Sequence, residues 1–252
     1  MARLSGRGVI VTGAAGGIGA AFAQALAAEG ARVSLCDLRA PEATVAAIRQ
    51  AGGEAMGAVC DVTDPAAVAR MVAGTEERFG RVDGLVNNAA LFATLTPRPF
   101  EEIASDEFDR ILRVNVRGTF ECIKAVLPAM RRRGYGKIVN IASGTVFKGT
   151  PMMLPYVSSK GAVIALTRSV AREVGSDGIR VNCIAPGLTL SEGLLGREDY
   201  PDEYFAAAAG TRCLPRAQQP EDLTGTMGFL LSAESDFMTG QTLVVDGGSV
   251  MH

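Results

Sequence analysis

A doubly wound α/β fold, with seven parallel strands and helices on both faces, is what this sequence predicts, and three observations carry the prediction. Short apolar, β-branched runs alternate with alanine-rich helical stretches along the chain, the pattern of successive βαβ units. The first run leads through a glycine-rich turn straight into a helix. The length, 252 residues, suits one such unit. A chain of this size buries roughly 70 to 75% of the surface its unfolded form exposes, so one domain spanning residues 1–252 is expected.

In chain order the first strand is Gly8 to Thr12, and a helix from about Gly17 to Glu29 follows it. A second strand, Arg32 to Asp37, precedes a helix from Glu42 to Gln50. The third strand, Glu54 to Asp61, leads to a helix from Pro65 to Phe79, with Pro65 in the first turn and Asp64 placed to cap it. The fourth, Val82 to Asn88, is followed by one long helix from Ser105 to Arg133. The fifth, Gly136 to Ser143, precedes a helix from Leu154 to Gly175. Arg180 to Ala185 is the sixth strand, Pro220 to Ser232 the last helix, again with proline in its first turn, and Thr242 to Val245 the seventh strand. Between Leu188 and Gln219 no sheet periodicity is visible, and a connection of that length in a compact domain is usually a lid over a binding site.

Composition excludes several classes of function. A net charge of −2 provides no positive field for nucleic acid or an anionic membrane. No apolar run approaches 18 residues, and the chain opens on Arg3 and Arg7 and passes straight to a strand, so neither a membrane span nor a signal peptide is expected. Five scattered cysteines, Cys36, Cys60, Cys122, Cys183 and Cys213, fit free thiols in a reducing cytoplasm better than a disulfide frame or a zinc site. The one histidine, His252, is the last residue. Histidine-based hydrolysis and histidine-ligated metals are therefore excluded, and proton transfer falls to Tyr, Lys or carboxylates.

The turn Gly13-Ala14-Ala15-Gly16-Gly17-Ile18-Gly19 leaves the first strand and opens a helix. Glycines there let the backbone turn tightly and approach a pyrophosphate, whose charge meets the free N–H groups and dipole of the helix start. The fold is therefore of Rossmann type, and the ligand a dinucleotide. Asp37 ends the second strand, where a carboxylate meets the adenosine ribose. It would also repel a 2′-phosphate, by about 4 kcal/mol per unit charge pair at ~4 Å and an effective dielectric of 20, which favours NAD. Arg39 pulls the other way, since its guanidinium could bind such a phosphate. Asp61 could accept from the adenine amino group, or simply cap its strand.

Tyr156 and Lys160 stand four residues apart, one above the other on a helix, with Ser143 upstream. A phenol with an ordinary pKa near 10 needs to fall by roughly 3 units to exchange protons near pH 7, and a neighbouring ammonium supplies much of that.

Thr12, Gly13, Gly16 and Gly19, with Asp61-Val62, Asn87-Asn88-Ala89-Ala90, Asn115, Ser143, Tyr156, Lys160, Pro186-Gly187 and Asp246-Gly247-Gly248, resemble the short-chain dehydrogenase/reductase superfamily over essentially the whole chain. Ala90 stands where glycine is commoner, and Thr189 and Ser191 depart conservatively from the usual pattern. The resemblance implies that Tyr156 is the general acid/base, that Lys160 lowers its pKa and holds the nicotinamide ribose, and that Ser143 binds the substrate oxygen. It implies that Asn115 positions a water linking Lys160 to solvent. It assigns Gly13, Gly16, Gly17, Ile18, Asp37, Asp61, Val62, Asn88, Ala89, Pro186, Gly187, Thr189 and Ser191 to the cofactor. Thr189 and Ser191 are the expected nicotinamide carboxamide contacts. Asn87 reads as a residue that satisfies buried backbone groups.

Leu91, Phe92, Thr145, Phe147, Met152, Met153, Leu194, Tyr204 and Phe205 are the expected substrate neighbours, and a mostly apolar set suits a hydrophobic or aromatic alcohol or its ketone. The segment from Ile141 to Gly187 and the chain ending resemble NAD-dependent aryl alcohol dehydrogenases such as phenylethanol and pyridoxal dehydrogenases. Two other readings stand beside this one. An NADP-dependent ketoreductase, such as a 3-oxoacyl-acyl-carrier-protein reductase, could use Arg131-Arg132-Arg133 to dock an acidic partner, although Asp177 and the acidic lid (Glu192, Glu198, Asp199, Asp202, Glu203) oppose this. A non-catalytic dinucleotide sensor would not need the Asn115, Ser143, Tyr156 and Lys160 set. The resemblance also implies a homotetramer. Val163, Ile164, Leu166 and Val170 read as too many apolar positions for one sheet-facing stripe, and the tail Gly248 to His252 as able to reach a neighbouring subunit.

Overall fold

The apolar runs form seven strands, β1 Gly8–Thr12, β2 Arg32–Asp37, β3 Glu54–Val59, β4 Gly84–Asn87, β5 Gly136–Ile141, β6 Ile179–Pro186 and β7 Thr242–Val245. The structure, a computed structural model, describes residues 2–92, 94–195 and 199–251; Glu198 and His252, both used in the sequence reading, lie outside the described residues. All the strand pairings are parallel and the order is β3-β2-β1-β4-β5-β6-β7. The helices are α1 Gly17–Ala28, α2 Glu42–Gln50, α3 Pro65–Phe79, α4 Ser105–Leu112, α5 Thr119–Arg133, α6 Thr145–Lys148, α7 Leu154–Val174, α8 Asp202–Gly210 and α9 Glu221–Leu231.

The two-residue period of a strand sends alternate side chains to opposite faces. Val9 and Val11 of β1 pack under Phe22 and Leu26 of α1, Ile48 of α2 and Met227 of α9. Ile10 between them packs under Val68 and Met71 of α3, Ile123 of α5 and Val174 of α7. Helices thus cover both faces, and a sheet buried on both sides explains strands that read as continuous apolar runs. The order reverses between β1 and β4, which opens a crevice beyond the carboxyl ends of the central strands. Those ends deliver Gly13, Asn88, Ser143 and Gly187 to one edge.

Strand ends shift by one or two residues from the sequence expectation, and three differences bear on the site. The helix expected over Ser105 to Arg133 is divided by a π-helical turn, Arg113–Gly118, which carries Asn115. Gly118 is required there, since a Cβ on it would lie 2.6 Å from Val62 Cγ2. The third strand stops at Val59, and Asp61 turns the chain instead, accepting from the Thr63 N–H at 2.8 Å. The expected lid contains α8, a parallel bridge between Thr189 and Gln218 joins its two ends, and Gln218 Nε2 ties it to the body by donating to Val245 O at 2.7 Å. Asp64 caps α3 as expected, accepting from Ala66 N at 2.9 Å, whereas Pro220 stands at the cap position of α9 rather than inside it.

The four apolar positions of α7 singled out as surplus are used by the chain itself. Val163 and Ile164 sit in one buried cluster, and Leu166 and Val170 pack against another. Leu166 and Val170 remain only partly buried there. All five cysteines are free thiols, four buried and Cys213 exposed. Among the described residues no helix is long and apolar enough to cross a membrane.

Candidate active site

Ser143 leaves the end of β5, and Tyr156 and Lys160 stand on the buried side of α7, which packs on β5 and β6. Ser143 and Tyr156 open together into a cleft of about 350 Å³. Its lining includes Ile18 from the start of α1 and Pro186, Gly187, Thr189 and Ser191 from the segment after β6. Of the expected substrate neighbours, Phe92, Thr145, Met153, Leu194 and Tyr204 line it; Leu91, Phe147, Met152 and Phe205 do not. Phe205 instead packs inside the lid with Leu194 and Tyr200. The Phe92 ring lies 4.7 Å from the Tyr156 ring, centroid to centroid.

Ser143 Oγ accepts from Thr145 N at 3.2 Å and from Thr145 Oγ1 at 3.0 Å. With both acceptor sites used, its own proton points elsewhere. It meets Tyr156, where this contact lowers the phenol pKa against the larger effect of burial. Burial dominates, and the phenol is pushed up to about 12. Lys160 Nζ lies 5.7 Å from the Tyr156 ring centroid and donates to the Ile141 carbonyl at 2.7 Å. Burial holds its pKa down to about 8. The sequence reading expected the ammonium to acidify the phenol. In the chain alone burial outweighs that effect, because the same dry pocket disfavours both charged forms.

Asn115, 1% exposed in the π turn, is fully engaged. Its Oδ1 accepts from Leu91 N at 2.7 Å, and its Nδ2 donates to Leu91 O at 3.2 Å and Ser159 Oγ at 3.0 Å. Its side chain thus clamps the segment after β4 to α7 and does not reach Lys160. Its backbone carbonyl accepts from Thr119 Oγ1 at 2.9 Å.

Around the glycine-rich turn, Gly13 has φ 66°, the left-handed region, and a Cβ there would fall 2.8 Å from Ala89 Cα. A Cβ on Gly19 would fall 2.1 Å from Gly13 O, so only glycine lets α1 start this close to β1. Asn88 shapes the same turn, donating through Nδ2 to Thr12 O at 3.0 Å and Gly13 O at 2.9 Å. The N–H groups of Asn88 and Ala89 both donate to Thr12 Oγ1 at 3.0 Å. Gly16 and Gly17 border an adjoining groove with Ser191 and Glu192. Asp37 Oδ2 accepts from Ala15 N at 3.1 Å, which holds its carboxylate beside that turn. Asp61 is exposed, and Val62 is buried beneath the π turn. Neither borders the cleft or the groove.

Sequence reasoning missed a buried polar chain behind the site. Asn87 Nδ2 donates to Asn140 Oδ1 at 2.8 Å, and Asn140 Nδ2 donates to Thr167 Oγ1 at 2.9 Å. It ties β4, β5 and α7 together. The signal was an asparagine inside the apolar run Gly136–Ile141, legible only once Asn87 and Asn140 are known to be register partners.

A family model described as enoyl-(acyl carrier protein) reductase matches residues 13–250. Sorbitol dehydrogenase of Cereibacter sphaeroides is 40% identical over 258 positions, covering 99% of each chain. The chain belongs to the short-chain dehydrogenase/reductase superfamily. Galactitol 2-dehydrogenase of Agrobacterium fabrum is 39% identical, again over 99% of each chain. The crystal structure of levodione reductase superposes with a TM-score of 0.93 at 34% identity, covering 99% of this chain and 100% of that one. As a short-chain dehydrogenase/reductase the protein is an oxidoreductase of the kind that uses a nicotinamide cofactor.

The residues present fit such a cofactor. The start of α1 has no side-chain cap and no acidic residue in its first turn, so its N–H groups are available to a pyrophosphate. Glu192 Oε2 would stand 3.2 Å from a Cβ on Gly16, so this carboxylate has to swing aside for a phosphate to lie there.

Proposed function

We propose that this chain transfers a hydride between NAD and a small, largely apolar or aromatic secondary or benzylic alcohol, or the matching ketone or aldehyde. The observation that carries the reading is the meeting of the Ser143 and Tyr156 hydroxyls in one cleft lined mostly by apolar side chains, Phe92, Met153, Leu188 and Leu194 among them. When bound, the oxidised nicotinamide supplies the carbon that accepts hydride and a positive charge beside the phenol. Tyr156 gives its proton to the carbonyl oxygen in reduction and takes one from the alcohol in oxidation. A phenol held near pKa 12 is protonated at pH 7, the form a general acid needs. Ser143, with Thr145 occupying its acceptor sites, donates to the same substrate oxygen and fixes it. Lys160 keeps N–H groups beyond its bond to Ile141 for the ribose hydroxyls. Asn115 acts through position, holding Leu91 and Ser159. In this reading the Thr189 backbone and Ser191 hydroxyl meet the carboxamide, and Asp61 meets the adenine.

Preference for NAD rests on Asp37. Its two oxygens accept from the N–H groups of Ala15 and Arg39, and among the described residues no ion pair joins it to the Arg39 guanidinium. Its charge therefore remains to repel a 2′-phosphate. A second reading, an NADP-dependent ketoreductase acting on a carrier-bound acyl chain, draws support from the description of the family model. Against it, Arg131, Arg132 and Arg133 already pair with Asp177, Glu76 and Asp83, which leaves no free cationic patch on that helix end.

A homotetramer in the cytoplasm belongs to the same proposal. Phe120, 46% exposed on α5, supports pairing through that helix, and the free buried thiols suit a reducing compartment. A solution mass corresponding only to the 26.2 kDa chain would contradict the tetramer. The reading as a whole is tested by assaying a panel of alcohols with NAD and NADP in parallel. It expects turnover of secondary and benzylic alcohols with NAD, and activity confined to NADP or to polyols would refute it.

A further inference from the structure

We infer that the far end of the cleft is an anion subsite in which Lys148 holds a carboxylate carried by the substrate, away from the reacting carbon. The inference rests on the reading of this cleft as the alcohol and ketone site. Lys148 closes α6, five residues beyond Ser143, or about 8 Å at the helical rise of 1.5 Å per residue. It lines the same cleft as Ser143 and Tyr156.

Among the described residues bordering that cleft, Lys148 is the one charged side chain, and no acidic residue joins it. The chain has four lysines. Lys137 pairs with Asp236, Lys124 lies over the Phe120 ring, and Lys160 is buried behind Tyr156. Among the described residues no ion pair joins Lys148 to an acid. Its ammonium donates to the hydroxyl of Ser249, which lies 2.7 Å from the hydroxyl of Thr211. Thr211 and Thr150 also border the cleft.

This polar cluster is built from three distant parts of the chain: α6, the end of the lid and the C-terminal segment. A cation and hydroxyls at one opening, with no acid among the described residues that line it, match a carboxylate, which accepts hydrogen bonds from both. The acidic side chains of α8, Asp202 and Glu203, stand in its first turn, whereas Tyr204, Ala207 and Ala208 meet the cleft. The preferred substrate is thus an alcohol or ketone with an apolar body and a carboxylate at the end opposite the reacting carbon. Ser249 belongs to the C-terminal tail, which thus contributes a hydroxyl beside Lys148 and Thr211 at the edge of the cleft.

The test compares binding of 4-acetylbenzoate and 4-methylacetophenone by calorimetry to the full-length protein with saturating NAD, where neither ketone can be reduced. The carboxylate is expected to bind about 10-fold more tightly at low ionic strength, an advantage that shrinks with added salt. The ratio is expected to fall to about 1 in Lys148→Met and to persist in Lys148→Arg. Equal binding of the two ketones, or a ratio unchanged in Lys148→Met, would overturn the inference. Turnover of the two corresponding alcohols is read separately. If neither is oxidised while the binding ratio and its loss in Lys148→Met hold, the anion subsite stands and the alcohol reading alone fails.

Discussion

Replacing Lys160 with methionine removes a proton-binding group whose cost to the fold can be worked out. Its side chain is 3% exposed, and burial holds its pKa down to about 8, against an ordinary 10.5. The unfolded chain therefore binds this proton more tightly than the folded one. Stability rises with pH through the window from 8 to 10.5, and the cost is fully present below pH 8. The gap corresponds to about 3 kcal/mol of destabilisation at neutral pH. Between pH 7 and pH 9.5 about 2 kcal/mol of it is relieved. The comparison is urea unfolding of the parent and Lys160→Met at those two pH values, with reductant and at one protein concentration. The difference in unfolding free energy should move by about 2 kcal/mol in favour of the parent as pH rises. A difference that stays constant, or moves the other way, would refute the placement of a buried ammonium behind Tyr156. The phenol has the opposite sign. With its folded pKa near 12 and an ordinary value of 10, its contribution is lost as pH climbs from 10 to 12, which sets the upper limit of the assay.

Tyr156→Phe should lower turnover at least ~100-fold while dinucleotide affinity, measured by fluorescence titration, stays within about 3-fold; retained turnover would remove the phenol from the reaction. Asp37→Ala should narrow the preference for NAD over NADP, read as the ratio of kcat/KM values, and a parent enzyme already favouring NADP would contradict the role given to Asp37. Gly19→Ala places a methyl 2.1 Å from the Gly13 carbonyl and should cost about 3 kcal/mol, seen as a fall in Tm; an unchanged Tm would mean that α1 is not held this close to β1.

The fold was legible because its signals are local. A buried parallel strand must be apolar on both faces, and a helix that starts on a dinucleotide turn needs glycine at Gly13 and Gly19, so the sequence around β1 and α1 admits few alternatives. The π turn was not legible. It places Gly118 against Val62, 56 positions away in the sequence, and no periodicity within the helix announces it. Helix α8 escaped notice because its alanines carry little amphipathic pattern and its burial comes from one residue, Phe205.

The site divides in the same way. Residue type and spacing alone fix which groups can do chemistry: a tyrosine and a lysine on one helical face, a serine at a strand end, a carboxylate at the end of β2, and no internal histidine. Only the tertiary structure decides their state and their neighbours. Burial depends on everything packed around a group, so it could turn the expected acidification of Tyr156 into a rise to about 12 and commit the Asn115 side chain to Leu91 and Ser159. Convergence in space depends on the strand order, which is why Lys148, Thr211 and Ser249, spread over 101 positions, meet at one opening that no reading along the chain could assemble.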